Sequence, residues 1–171
     1  MPTILETERL ILREFSAEDA ASLALVLSDP ETMKYYPAPL DLAGTQQWID
    51  RNLRRYADDG VGLWAMVLKT CGDMKMIGDC GIIRQQVDDE YLYEIGYHLQ
   101  RDHWGQGFAT EAAIACREWG FANLQVDRLI SLIRPENIPS IRVAERNGMT
   151  IWKEVVWRGL RHHVYAVERA L

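Results

Sequence analysis

The stretch from residue 91 to residue 110, YLYEIGYHLQRDHWGQGFAT, constrains fold and function more than any other part of the sequence. A strand pattern runs through its first half, and a helical pattern begins at about residue 107. Gly105 and Gly107 stand at the junction, where a residue without a Cβ lets the backbone turn tightly and approach a ligand closely. The unpaired amides and the dipole of the following helix favour an anion at this point. The junction therefore predicts a phosphate-binding cradle, or a turn that uses glycine only for its backbone geometry.

Two familiar phosphate motifs do not fit this junction. A dinucleotide fingerprint requires a third glycine three residues after Gly107, whereas position 110 is Thr110. A Walker loop requires Gly-Lys followed by Ser or Thr, and that sequence does not occur in the chain. Neither of these motifs can therefore account for the cradle.

The composition predicts one globular domain. The chain has 171 residues, of which 48% are apolar, and this length is sufficient for one core but short for two domains. The net charge of −6 disfavours a general nucleic-acid binder and slightly favours a cationic acceptor. No run of about 18 apolar residues occurs, so no membrane span is expected. The N-terminal sequence MPTILETERL lacks a basic-then-apolar segment, so no signal peptide is expected.

The cysteine and histidine patterns predict neither a metal site nor a disulfide framework. Cys71, Cys80 and Cys116 are odd in number and scattered, which is typical of a protein in a reducing cytosol. The adjacent residues His162 and His163 would point in opposite directions on a strand, so they do not form a metal-binding pair. A cytoplasmic location without a bound metal is therefore expected.

The spacing of apolar residues predicts a single α+β domain with an antiparallel meander first and helical crossovers later. Strands are predicted over 7–15, 62–69, 74–84, 90–99, 128–134, 150–157 and 162–168. Helices are predicted over 17–28, 42–58, 107–122 and 138–147. Ser16 is the expected N-cap of the first helix, and turns are predicted at 71–73, 85–89 and 158–159.

Four segments resemble the N-acetyltransferases of the GNAT superfamily. Residues 104–109, WGQGFA, are similar to the acetyl-CoA motif Arg/Gln-x-x-Gly-x-Gly/Ala, with the tryptophan at the first position that is common in the Rim-type branch. Residues 7–13 resemble the opening strand of that branch of ribosomal-protein N-terminal acetyltransferases, and residues 94–97 resemble its fourth strand. Residues 137–149 resemble the second CoA motif, Asn-x-x-Ser followed by a helix and Gly-Phe. The resemblance covers nearly the whole chain in order.

This resemblance implies one GNAT domain over residues 1–171, with a mixed, mostly antiparallel, twisted sheet of about seven strands flanked by about four helices. It also implies acetyl-CoA as cosubstrate, with its pyrophosphate on the amides of residues 104–109 and its pantetheine arm along the backbone of residues 97–99. Asn137 would bind the pantetheine, although an asparagine before a helix is also a common cap. The cofactor-binding residues implied are Tyr97, His98, Leu99, Trp104, Gly105, Gln106, Gly107, Phe108, Ala109, Thr110, Asn137 and Ser140.

The resemblance further implies direct attack of an amine on the acetyl thioester, with the Leu99 amide as a candidate donor to the thioester carbonyl. Many GNAT enzymes carry a tyrosine acid four residues after the position of Ser140, but Ala144 stands there. A thiol with a pKa near ~8.5 is a tolerable leaving group, and Ser140 or a water could assist it. Ser140 is therefore one catalytic candidate, unless it only belongs to the first turn of its helix.

Glu94 is the candidate general base. Strand alternation places Glu94, Gly96 and His98 on one face, beside the expected cofactor site. The alternative roles of this carboxylate are a structural salt bridge or a strand-edge group. His98 is a second candidate base, although a histidine on a strand is more often structural.

An α-amine is favoured as acceptor, because its pKa near ~7.7–8.0 leaves part of it neutral at pH 7, whereas lysine near ~10.4 is almost wholly charged. A protein N-terminus is therefore the leading substrate, and a polyamine, an amino acid or an antibiotic is the alternative. Acidic residues lining the groove would favour a polycation; the candidates are Asp50, Asp58 and Asp59.

Aromatic residues are candidates for the wall of the acceptor groove. Tyr35, Tyr36 and the segment 157–163 either line that groove or pack in loops and core. A third function, a silent acyl-CoA-binding module, is supported only by the absent tyrosine acid. No nucleic acid or membrane partner is expected, and both a monomer and a homodimer fit the sequence.

Overall fold

The architecture is that of a computed structural model, which describes residues 1–70 and 72–171. The predicted turn at 71–73 begins at Cys71, which lies outside the described residues. The eight strands are β1 Thr3–Glu6, β2 Leu10–Arg13, β3 Leu63–Thr70, β4 Asp73–Val87, β5 Glu90–Leu99, β6 Arg128–Ile133, β7 Thr150–Trp157 and β8 Leu160–Glu168. The four helices are α1 Ala20–Leu27, α2 Leu42–Asp59, α3 Phe108–Asn123 and α4 Ile138–Arg146.

The strands form one sheet with the order β1-β2-β3-β4-β5-β6-β8-β7. β1 to β5 form an antiparallel meander, as predicted, and β6, β8 and β7 continue the sheet in antiparallel pairs. The pairing of β5 with β6 is parallel, because α3 crosses over between the two strands. The α+β class and the mixed, mostly antiparallel sheet are therefore confirmed, with eight strands instead of about seven.

The N-terminal strand is shorter than predicted. Residues 10–13 form β2, and residues 3–6 pair with it as an additional strand, β1. Thr7 separates the two, because its amide donates to the Leu10 carbonyl at 2.9 Å and its Oγ1 accepts from the Leu10 amide at 2.9 Å. These bonds close a turn where the apolar alternation alone predicted a continuous strand.

The first predicted helix begins with a single turn of 3-10 helix at 17–19 before α1. Ser16 caps it as expected, through reciprocal bonds with Asp19. The Arg13 guanidinium makes two bonds to the same carboxylate, at 2.8 Å each. This cap fixes the end of β2 against the entry to α1.

The core has a main layer on each face of the sheet. One face packs against α3 and α4 through residues such as Phe108, Ala112 and Ala144, and the other packs against α1 and α2 through residues such as Leu23 and Ile49. Successive residues of β5 therefore face different helices, because strand side chains alternate between the two faces. The odd-numbered residues from Tyr93 to Leu99 face α3 and α4, whereas Glu94 and His98 lie on the opposite face.

Cys80 and Cys116 are free and buried in the layer beneath α3, with their sulfur atoms 3.6 Å apart. Within the described residues, no helix has the length and apolarity needed to cross a membrane.

The pairing of β5 with β6 is confined to one register position, Glu94 opposite Ile130. Beyond this position the two strands diverge, while β5 stays paired with β4 as far as Leu99. Between Glu94 and the end of β5 at Leu99, the sheet is consequently open on the β6 side. This opening determines where the functional site lies.

Candidate active site

A cavity of about 900 Å³ lies in the opening between β5 and β6, beside the first turns of α3 and α4. Its wall includes Glu94 and all of the predicted cofactor-binding residues except Gln106. The structure therefore brings together residues of β5, of the loop before α3, of α3 and of the start of α4, from Glu94 to Ser140 in the sequence. The sequence motifs that were separate along the chain share one wall in three dimensions.

The backbone of β5 presents unpaired polar groups to this cavity. The Gln100 amide donates to the Ile77 carbonyl at 2.8 Å, so Leu99 and its partner Gly78 are not a hydrogen-bonded pair. The polar groups of Leu99, and by alternation those of Tyr97, therefore point away from β4 and towards the opening. The amide and carbonyl of His98 face β4 instead, and only the side chain of this residue reaches the cavity.

Two side chains satisfy carbonyls at the edges of the opening. Ser131 Oγ donates to the Ile95 carbonyl at 2.7 Å, where a parallel ladder would otherwise continue. Trp104 Nε1 donates to the Leu99 carbonyl at 2.8 Å. Trp104 thus fixes the end of β5 to the loop that leads into α3. The amides of Tyr97 and Leu99 and the carbonyl of Tyr97 remain directed into the cavity.

The glycine junction has the backbone that a cradle needs. Gly105 and Gly107 have φ values of 73° and 82°, in the left-handed region that glycine adopts easily. Gly107 is the N-cap of α3, and the Glu111 amide makes the first helical bond, to the Gly107 carbonyl at 3.0 Å. The amides of Phe108, Ala109 and Thr110 therefore have no helical partner, and their residues line the cavity.

Hydrogen bonds from the N-terminal segment hold this junction in place. Glu111 accepts hydrogen bonds from Thr7 Oγ1 at 2.6 Å, from the Arg9 amide at 2.9 Å and from Arg9 Nε at 2.6 Å. Arg9 Nη1 donates to the Gln106 carbonyl at 2.9 Å, and its guanidinium lies 4.3 Å from the centre of the Phe108 ring. Burial raises the pKa of Glu111, but the bonds from Thr7 and Arg9 outweigh it and leave that pKa below its ordinary value.

The start of α4 forms another wall. Asn137 Oδ1 accepts from the Ser140 amide at 3.3 Å, so the helix-cap role of Asn137 is present in the structure. Ser140 Oγ donates to the Tyr97 hydroxyl at 3.1 Å, and that hydroxyl donates to the Ser140 carbonyl at 2.8 Å. Burial raises the pKa of Tyr97. Ser140 therefore ties α4 to β5 at the cavity wall.

Sequence reasoning missed two arginines of this wall. Arg142 and Arg146 line the cavity one helical turn apart on α4. Their own spacing was the available signal, because residues four positions apart lie on the same face of a helix. Ala144, the residue at the position of the expected tyrosine, is buried in the core.

The Glu94 carboxylate lies at the α1–α2 side of the cavity. Burial raises its pKa, while Gln85 Nε2 at 3.0 Å, the Leu132 amide and the positive charge of Arg55 act in the opposite direction. Within the described residues Glu94 makes no ion pair, so the alternative role of a structural salt bridge is not seen. The chemistry available to this group is the acceptance of a proton from a cavity ligand.

Three arginines without a carboxylate partner among the described residues lie outside the cavity wall on the Glu94 side, and the charge of one of them, Arg55, acts on Glu94. Arg51 and Arg55 are on α2, and Arg158 is in the turn between β7 and β8. Burial, together with the charges of Arg51 and Arg158, lowers the pKa of Arg55. The Arg51 guanidinium lies 5.5 Å from the Trp48 ring. Positive charge therefore lies behind this side of the site, outside the lining residues.

The acidic residues that would favour a polycation are not part of the cavity wall. Asp50 accepts a hydrogen bond from Gln46 at 3.0 Å, and Asp59 lies 3.9 Å from Arg84. Asp50, Asp58 and Asp59 are all outside the lining residues.

Of the predicted groove aromatics, Tyr35 and Tyr36 line the cavity. The segment 157–163 does not: Trp157 packs edge-on against His162, and His163 pairs with Glu154 at 3.2 Å. The packing interpretation therefore holds for that segment. In the part of the chain that the structure describes, no cluster of three or more His, Cys, Asp or Glu residues is placed to hold a metal ion.

The chain is similar to known proteins over most of its length. Residues 9–150 match the family model described as the acetyltransferase (GNAT) domain. The uncharacterised protein YkkB of Bacillus subtilis is 41% identical over 154 residues, which cover 90% of this chain and 88% of YkkB. A solved acetyltransferase of Agrobacterium tumefaciens is 31% identical, with a TM-score of 0.83 over 99% of this chain and 95% of its own.

RimL, described as a ribosomal L7/L12 alpha-N-protein acetyltransferase in complex with coenzyme A, has a TM-score of 0.77 and 19% identity over 98% of each chain. At this identity the likeness concerns the fold and not the acceptor.

Gly105→Ala is expected to weaken the binding of coenzyme A by roughly tenfold or more, measured by isothermal titration calorimetry. A Cβ at this position meets no protein atom within 4 Å but narrows the ligand side of the junction, and the φ of 73° adds backbone strain that the control must share. Gly60→Ala is the matched control, because Gly60 has a φ of 72° and equally open surroundings but caps α2 far from the cavity. Equal affinities of the two variants for coenzyme A would contradict the assignment of residues 104–109 as the phosphate-binding cradle.

Arg142→Ala and Arg146→Ala are each expected to weaken coenzyme A binding by roughly threefold to tenfold, most strongly at low ionic strength, because a screened surface charge contributes modestly. Arg54→Ala, an exposed arginine of α2 outside the cavity wall, serves as control. Titrations at two salt concentrations measure the effect, and a loss of affinity that does not depend on salt would rule out a charge contact with phosphate.

Proposed function

The chain belongs to the GNAT acetyltransferase family and is an acetyl-CoA-dependent N-acetyltransferase, and we propose that its acceptor is the α-amine of a peptide or protein N-terminus, as in the Rim-type branch. The observation that carries the donor site is the pair of β5 amides, from Tyr97 and Leu99, that face the opening beside the glycine junction. The observation that supports the acceptor class is the positive charge beside Glu94.

Acetyl-CoA is proposed to lie along the opening with its pyrophosphate at the start of α3. The pantetheine arm then occupies the place of a missing strand and pairs with the backbone of Tyr97 and Leu99. Arg142 and Arg146 contribute positive charge at the phosphate end. The thioester is placed towards the other end, near Ser140 and Glu94.

The reaction needs a neutral amine and a stabilised oxyanion. Glu94 removes one proton from the incoming ammonium, directly or through water, because its buried carboxylate has a raised pKa that suits a base at neutral pH. The Leu99 amide donates to the thioester oxygen as it becomes negative. The amine nitrogen forms the new amide bond, and coenzyme A leaves as a thiolate that takes up a proton.

The arginines favour an acceptor that is not a polycation. A polyamine brings several positive charges, and Arg51, Arg55 and Arg158 would repel them. A peptide N-terminus brings one amine, followed by carbonyl oxygens and by side chains that can be acidic, which guanidinium groups bind well. The α-amine is also partly neutral at pH 7.

Coenzyme A release is the test of this function. We expect turnover with trialanine, and more with an N-terminal tripeptide that carries an acidic second residue, but little with spermidine, an aminoglycoside or Nα-acetyl-lysine. Preferential turnover of spermidine or the aminoglycoside would contradict the acceptor assignment. Binding of acetyl-CoA without turnover of any acceptor would identify a silent acyl-CoA-binding module.

Glu94→Gln is expected to lower kcat/KM about 10²-fold to 10⁴-fold, because an amide cannot accept the proton of the ammonium. Acetyl-CoA affinity is expected to stay the same, since Glu94 faces the acceptor side. In the wild-type enzyme, the raised pKa of Glu94 predicts that kcat/KM falls on acidification. This fall is expected at a higher pH than the ordinary pKa of a glutamate would give. An undiminished rate across pH in the variant would remove Glu94 from the mechanism.

A further inference from the structure

A chain of three hydrogen-bonded side chains leads from the core to the cavity. Asp79 on β4 and His98 on β5 are directly opposite each other in the ladder, so their side chains lie on the same face of the sheet. His98 Nδ1 lies 2.7 Å from Asp79 Oδ1, and Trp48 Nε1 donates to Asp79 Oδ2 at 3.0 Å. Asp79 is fully buried and His98 is nearly so.

The outer end of this chain is Tyr36. Its hydroxyl is hydrogen-bonded to His98 Nε2, and its ring centre lies 5.2 Å from that of His98. Tyr36 and His98 both line the cavity next to Glu94. The residue as a whole exposes 41% of its surface, whereas burial around the hydroxyl and the negative charges of Glu94 and Asp79 raise the pKa of the phenol. The phenol therefore stays neutral.

The hydrogen-bond directions follow from the groups present. A carboxylate accepts but does not donate, so a neutral His98 carries its proton on Nδ1 and donates to Asp79. Nε2 is then the acceptor for the Tyr36 hydroxyl. With its own proton engaged, the Tyr36 oxygen has lone pairs left for a donor in the cavity. This is the order of a carboxylate–histidine–hydroxyl triad, with a tyrosine as the outer group.

We propose that Tyr36 contacts the acceptor nitrogen and that His98, held by Asp79, receives a proton from it through the Tyr36 hydroxyl. The proposal rests on the acetyltransferase function and adds a catalytic residue, Tyr36, and two residues that act through it. Tyr36 supplies a hydroxyl on the acceptor side of the cavity in a chain that has Ala144 at the position of the expected tyrosine.

The protons balance as follows. The ammonium loses its first proton to Glu94 and the free amine attacks the thioester carbon, which leaves a positively charged nitrogen in the adduct. That nitrogen gives a second proton to the Tyr36 oxygen as the Tyr36 hydroxyl proton moves to His98 Nε2. The C–S bond then breaks, and the thiolate takes a proton from His98 by the reverse path or from water. The Glu94 proton returns to solvent.

Asp79→Asn is a directed test, because Trp48 determines how the new amide must lie. An indole can only donate, so the asparagine oxygen turns to Trp48 and its NH₂ group turns to His98 Nδ1. Nδ1 must then accept, and the proton moves to Nε2. His98 consequently donates to Tyr36 and can no longer receive its proton. ¹⁵N NMR of the imidazole reports this exchange of tautomers directly.

The experiment compares wild type, Tyr36→Phe, Asp79→Asn and the double variant, with the acceptor that wild type turns over fastest among trialanine, spermidine and an aminoglycoside. We expect kcat to fall about 10²-fold to 10³-fold in each single variant. The double variant is expected to be no slower than the worse single one, since the residues act as a unit. The KM for acetyl-CoA is expected to stay within about twofold. Tyr91→Phe, an exposed tyrosine at the start of β5, is the control.

A wild-type kcat in Tyr36→Phe would overturn the proposal, as would an unchanged kcat in Asp79→Asn once NMR shows the exchanged tautomer. If Asp79→Asn does not fold, the kcat of Tyr36→Phe and the ¹⁵N NMR spectrum of wild-type His98 still test the proposal. A wild-type His98 that is protonated on Nε2 alone would refute the relay. Absence of wild-type turnover with every acceptor would contradict the function itself, whereas wild-type turnover with unaffected variants would refute the relay alone.

Discussion

The divergence of β5 from β6 is the constraint on which the rest of the site depends. Buried backbone amides and carbonyls must be hydrogen-bonded, and a strand that diverges from its neighbour loses the partners that this neighbour provides. Here Ser131 and Trp104 donate hydrogen bonds to two of the freed carbonyls, and β4 pairs with the backbone amide and carbonyl of every second residue of β5. What remains is a short row of unpaired groups along the wall of a cavity of about 900 Å³. A ligand with amide groups of its own can complete that row.

Elements far apart in the sequence keep the opening in shape. Thr7 and Arg9 lie in the turn before β2 and hold Glu111 and the loop before α3. The N-terminal segment therefore supports the end of the cavity where the phosphate is proposed to bind. Ser140 and Tyr97 join α4 to β5 along the side. Each support uses a charged or neutral hydrogen bond in a partly buried setting, where such bonds are stronger than in water. The donor site is consequently built mainly from backbone, with side chains that fix its position.

The sequence was most informative where backbone geometry demands a particular residue. The left-handed turns at Gly105 and Gly107 and the cap at Asn137 follow from local chemistry, and they were predictable from short windows. Tyr36 was named as a groove aromatic, but its contact with His98 depends on how the segment between α1 and α2 packs. Arg142 and Arg146 were not singled out, because their place in the cavity depends on how α4 packs, which short windows do not encode. The split between β1 and β2 was missed for a related reason, since a side-chain bond from Thr7 overrides the apolar alternation.

Hydrogen exchange of the β5 amides tests the central claim most directly, because adjacent residues differ in what they face. In the free protein, NMR-detected exchange is expected to be faster at Tyr97 and Leu99 than at His98, whose amide is paired with β4. Added acetyl-CoA is expected to slow exchange at Tyr97 and Leu99 at least tenfold beyond any change at His98, as a ligand pairing with the open edge of β5 requires. Unchanged exchange at both residues at saturating acetyl-CoA would contradict the account.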